Sequence, residues 1–103
     1  MLKKVEIHGC RRLEKLPETL GDLVALEQLS LVYCSTLSAL RESVGCLTKL
    51  RVLYIWACSG LFELPETFLQ LEELDQIWLR RVHLDSVPNL ANLRSLKLSE
   101  YNG

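Results

Sequence analysis

Three cysteines stand 24 residues apart, at Cys10, Cys34 and Cys58. A fixed column of thiols has three possible chemistries: a disulfide, a metal site, or quiet burial. If each cysteine follows one strand of a parallel sheet, neighbouring Cα atoms lie about 4.8 Å apart. That separation permits a disulfide, but three in a column cannot all pair. Two thiolates on one zinc lie at most about 4.6 Å apart, so only one neighbouring pair could ligate. The reading that serves all three is a small buried group whose weak S–H donates to a loop carbonyl where the strand turns outward. Cys46 falls in another phase and has no evident partner. His8 and His83 sit in different phases, without a spacing-matched carboxylate, serine or cysteine to form a triad. The glycines, Gly9, Gly21, Gly45, Gly60 and Gly103, are scattered and make no phosphate loop. No catalytic residue, metal or cofactor is expected.

The elements that would hold such a column are visible in the leucines. Leu2, Leu26, Leu50 and Leu74 recur every 24 residues, and Leu93 follows 19 later. A fixed period in the twenties marks a solenoid of stacked units. The units run about 2–25, 26–49, 50–73 and 74–92, with a partial unit at 93–103. Each opens on a spaced apolar triplet: Leu2/Val5/Ile7, Leu26/Leu29/Leu31, Leu50/Leu53/Ile55, Leu74/Ile77/Leu79 and Leu93/Leu96/Leu98. The last two members alternate as on a strand, so parallel strands are predicted. A second apolar set follows at Leu13/Leu16, Leu37/Leu40, Leu61/Leu64 and Leu84/Val87. Pro17, Pro65 and Pro88 come next and disfavour a long helix. The return paths should be extended or single-turn. Leu20, Val44 and Phe68, with Leu23, Leu47 and Leu71, should close the core on the outer side. The short fourth unit should change the local curvature.

Bulk properties narrow the function classes. The chain has 103 residues, 49% of them hydrophobic, enough for one domain with a core. Its net charge is −1, whereas nucleic acid and anionic membranes call for a basic patch. No apolar run approaches the roughly 18 residues of a membrane span. MLKKVEIHGC lacks the apolar segment of a secretory signal, so a cytoplasmic, reducing location is expected. Both ends fall within the repeat and show no polar cap. The expectation is a piece of a longer array whose isolated ends self-associate.

Strand alternation also names the outward residues. One column reads Glu6, Ser30, Tyr54, Trp78, Lys97; the next His8, Val32, Trp56, Arg80, Ser99; a third Gly9, Tyr33, Ala57, Arg81, Glu100. Four of the seven aromatics, Tyr33, Tyr54, Trp56 and Trp78, therefore share one face with Arg80 and Arg81. Tyrosine, tryptophan and arginine are enriched at interface hot spots, and these six are the candidate protein-binding residues. Lateral packing of Tyr54 on Trp78 is the alternative, worth about 0.2–1 kcal/mol per pair. Docking against other parts of a parent protein is a third possibility. The outer-arc charges, among them Glu14, Lys15, Glu18 and Asp22, read as a solvated face.

The pattern LxxLxLxxC, then xxLxxLP and GxLxxL, resembles the cytoplasmic leucine-rich repeat. The stretches IHGCRRLEKLPETLGDLVALEQLSL, LVYCSTLSALRESVGCLTKLRVLYI and IWACSGLFELPETFLQLEELDQIWL look most like repeats of plant nucleotide-binding leucine-rich-repeat disease-resistance proteins. Arg41 stands where that pattern has proline, and Val82 where it has cysteine. The resemblance implies an α/β fold: a right-handed leucine-rich repeat solenoid with a parallel concave sheet and mostly irregular convex arcs with little helix. It implies a recognition module of an intracellular innate immune receptor. Its partner would be a pathogen effector, a guarded host protein or the receptor's own nucleotide-binding domain. A leucine-rich repeat scaffold or signalling adaptor, or the substrate-recruiting part of a ubiquitin ligase, are the alternatives.

Overall fold

In the computed structural model, the described residues are 2–38, 40, 42–61, 64, 66–82 and 95–98. The predicted strands are present: β1 (Lys4–His8), β2 (Gln28–Val32), β3 (Val52–Trp56), β4 (Gln76–Arg80) and β5 (Ser95–Leu98). They form one parallel sheet in the order β1-β2-β3-β4-β5. The register follows the leucine phase: Val5, Leu29, Leu53, Ile77 and Leu96 align, as do Ile7, Leu31, Ile55, Leu79 and Leu98. β4 and β5 align across the 19-residue step, Gln76 facing Ser95. The short return itself, with Leu84, Val87 and Pro88, lies outside the described residues, as does the curvature expected there.

Alternation sets the burial. Leu29, Leu31, Leu53, Ile55, Ile77 and Leu79 are fully buried, while Tyr54, Trp56, Trp78 and Arg80 between them are half-exposed. Among the described residues, the returns contain three short 3₁₀ segments, Glu18–Asp22, Glu42–Cys46 and Glu66–Gln70. Pro17 is extended, and its carbonyl accepts from the Leu20 N–H at 3.1 Å. The ring thus starts the turn rather than continuing a helix. The second segment forms in the repeat where arginine replaces proline, so the turn does not depend on the ring. Leu20, Val44 and Phe68 drop into the core from these segments, with Leu47 and Leu71. Leu23, on the first rung, is only partly buried.

The thiols serve the stacking. Cys34 and Cys58 are buried and Cys10 is partly buried, all reduced. Cys34 Sγ lies 3.6 Å from the Val32 carbonyl and 3.7 Å from that of Ile7 on the preceding rung. Cys58 Sγ repeats this with Trp56 at 3.6 Å and Leu31 at 3.5 Å. The acceptors are strand carbonyls, not the loop carbonyls expected. The strand ends there, and the Val32 and Trp56 carbonyls each take the thiol beside the N–H of Gly9 or Tyr33 on the preceding rung. Burial pushes the Cys58 thiol up to about 11. Cys46 is exposed on the convex side.

Candidate functional site

Strand β3 and its neighbours bring the six candidates together. Tyr54 faces Trp78, and Trp56 faces Arg80, across the β3–β4 ladder. Val32 faces Trp56 across β2–β3. The residue after each of β1, β2, β3 and β4 is left-handed: Gly9 at φ 63°, Tyr33 at 56°, Ala57 at 57° and Arg81 at 55°. Their N–H groups reach the last carbonyl of the next strand, Gly9 to Val32, Tyr33 to Trp56 and Ala57 to Arg80, at 2.8–2.9 Å. This twist keeps Tyr33 and Arg81 at the rim of the sheet face, where both are exposed.

The side chains interlock. The rings of Tyr33 and Trp56 are 5.3 Å apart and tilted by 41°. The Arg80 guanidinium lies 5.1 Å from the Trp56 ring centre, within the range of a cation–π contact. Arg80 also donates to the Tyr54 hydroxyl at 3.5 Å. The Trp78 indole N–H donates to Gln76 Oε1 at 3.1 Å. The Trp56 indole nitrogen is buried without an acceptor. The ring stacking shown is diagonal, between Tyr33 and Trp56, while Tyr54 and Trp78 are register neighbours.

Gln76 was not singled out in the sequence. It lies two residues before Trp78 on the same face, and that spacing was the available signal. At the other end of the face, Glu6 bonds Lys4 at 2.8 Å and His8 at 3.2 Å. The Lys4 bond, then the His8 bond, holds the Glu6 carboxyl below the usual range. His8 therefore belongs to a surface hydrogen-bonded cluster with Glu6, and His83 lies outside the described residues. At the strand entrances, ion pairs join Lys3 to Glu27 at 3.7 Å, Lys49 to Glu73 at 3.9 Å and Arg51 to Asp75 at 4.0 Å. All of these except Asp75 line an open groove of about 480 Å³ together with Val24 and Ala25. Such exposed pairs are worth about 0–1 kcal/mol each, and their cations already face carboxylates.

Among the described residues, no three histidine, cysteine or acidic side chains converge as metal ligands. Among them also, no helix is long and apolar enough to cross a membrane.

No family model matches the chain, and no curated protein does. The structure is similar to the leucine-rich repeat domain of the type III effector XopL, with a TM-score of 0.79 and 33% sequence identity. The match covers 94% of this chain but 36% of that one, so this chain spans about a third of its neighbour's length. The 24-residue phase, the in-register parallel sheet and this likeness together make the chain a leucine-rich repeat solenoid.

Proposed function

We propose that the chain is a protein-recognition module that binds through the concave sheet face. The observation that carries this is the cluster of Tyr33, Tyr54, Trp56, Trp78, Arg80 and Arg81 on a rigid parallel sheet. Rigid aromatic and arginine side chains lose little freedom on binding and bury much area, which is why they dominate interfaces.

At a finer level we read the module as the recognition part of a plant-type intracellular immune receptor. That reading is supported by the cysteine-bearing repeats with LPETLGDL and LPETFLQL, and its cytoplasmic setting goes with it. The likeness to a type III effector's repeat domain favours a second reading, the repeat part of an effector-like protein. Coding sequence upstream of these residues separates the two: a nucleotide-binding region supports the first, and its absence supports the second.

The binding role is tested by titrating an identified partner against the wild type and a Trp56→Ala/Trp78→Ala double variant. Loss of two hot-spot aromatics should weaken binding at least roughly a hundredfold. Binding that persists in the folded double variant removes the face from the interaction.

A further inference from the structure

We propose that two copies of this chain pair antiparallel through the outer edge of β1, as a closed two-fold dimer. The surface is not the aromatic cluster, and the inference does not rest on that cluster's binding role. Among the described residues, β1 pairs on one side only, with β2. Two backbone bonds fix which groups face the other way. The Gln28 N–H donates to the Lys3 carbonyl at 3.0 Å, and the Gly9 N–H to the Val32 carbonyl at 2.8 Å. Backbone groups alternate sides along a strand, so Lys3, Val5, Ile7 and Gly9 serve β2. The N–H and C=O of Lys4, Glu6 and His8 therefore point away from it, a row open to pairing with another strand. The layer behind this edge is apolar and uncovered. Leu2 is 54% exposed and Val5, Ile7 and Leu13 are partly so, whereas their equivalents Leu26, Leu29, Leu31 and Leu37 are fully buried.

Charge selects the occupant and the register. Side chains keep their faces only if Lys4, Glu6 and His8 meet one another across the pair. Centred on Glu6, the pairing sets that carboxylate against its own copy, which is unfavourable. Centred on Ile7, it sets Glu6 opposite His8 and carries Lys4 beyond the end of the strand. Centred on Val5, it sets Lys4 of each copy opposite Glu6 of the other. Within one chain Glu6 already bonds Lys4 more closely, at 2.8 Å, than His8, at 3.2 Å. The Val5 register repeats the closer of these pairs twice across the interface. Lys4 and Glu6 also have outward backbone groups, so each pair is joined by two main-chain hydrogen bonds. The strand is thus self-complementary, which a second copy of this chain satisfies. The two sheets become one, with both aromatic clusters on the same side.

Sedimentation equilibrium of the 103-residue chain tests this. The mass should rise with concentration from one chain to a plateau at two. A mass that stays at one chain, or climbs past two, overturns the inference. Lys4→Glu and Glu6→Lys each place like charges opposite one another in the dimer, and each alone should weaken association at least roughly tenfold. Mixed in equal amounts, the two variants regain both opposite-charge pairs and should associate as a heterodimer about as tightly as the wild type. The ion pair within a single chain stays broken in the mixture, so its loss cannot account for that rescue. Thermal midpoints establish that both variants are folded. Single variants that dimerise like the wild type, or folded variants that stay apart when mixed, overturn the Lys4–Glu6 pairing and with it the proposed dimer.

Discussion

At the scale of single residues, the thiol column shows how far spacing can be read as chemistry. The 24-residue interval placed Cys10, Cys34 and Cys58 in one column and argued for burial. It could not name the acceptors, because these are backbone carbonyls of Ile7, Val32, Leu31 and Trp56, and carbonyl direction depends on where each strand stops. A thiol reagent should label the exposed Cys46 quickly and reach Cys34 and Cys58 only on unfolding. Rapid labelling of all the cysteines in the native chain would refute their burial. Cys58 also makes a pH prediction. Its folded-state value of about 11 exceeds the ordinary 9.0, so the folded chain holds that proton more tightly. The stabilisation is whole below about pH 9 and is lost as pH rises towards 11. Subtracting the midpoint-against-pH curve of Cys58→Ala from that of the wild type isolates this loss. A flat difference would contradict it.

At the scale of elements, strands and core were legible because alternation and the leucine phase report the same physical fact, one buried face. That the returns are single turns rather than long helices was legible from Pro17; their 3₁₀ form was not. The left-handed residues were not. Tyr33, Ala57 and Arg81 hold φ near 55° without the glycine that usually signals it, and only Gly9 fits that signal. At Tyr33 and Ala57 the strain is offset by an N–H bond to the next rung. Ala57→Gly should therefore cost little or stabilise, by up to about 1 kcal/mol, in chemical denaturation. Gly60 is the opposite case. A Cβ there would sit 2.6 Å from the Ser35 carbonyl oxygen, where one turn stacks on the preceding one. Gly60→Ala should destabilise by roughly 1–3 kcal/mol, and a neutral result would show that the turns can separate. Turn-to-turn closeness has no signature in a lone glycine, so this constraint was hidden from the sequence. Thr36 was hidden likewise: its hydroxyl donates to the Arg11 carbonyl at 2.7 Å, with that of Leu13 at 3.0 Å.

At the scale of the whole molecule, the repeat organises two kinds of surface. On the first rung Leu2 is 54% exposed and Val5 and Ile7 are partly so. Isolated, the 103-residue chain should self-associate through that layer, seen by light scattering as a mass that grows with concentration. A constant monomer mass would count against it. The sheet face is the second surface, and its six candidates were legible because phase alone names outward positions. Their mutual contacts were not, since the tilt of Tyr33 on Trp56 follows from the left-handed turn. The proposed binding role requires this cluster to be laid on the core rather than built into it. The measurement is the unfolding free energy of Trp56→Ala/Trp78→Ala beside that of Leu53→Ala. Cross-strand contacts predict a loss within about 2 kcal/mol for the double variant, against about 2–5 kcal/mol for the buried leucine. A double-variant loss as large as that of Leu53→Ala would contradict the claim and make the aromatics structural.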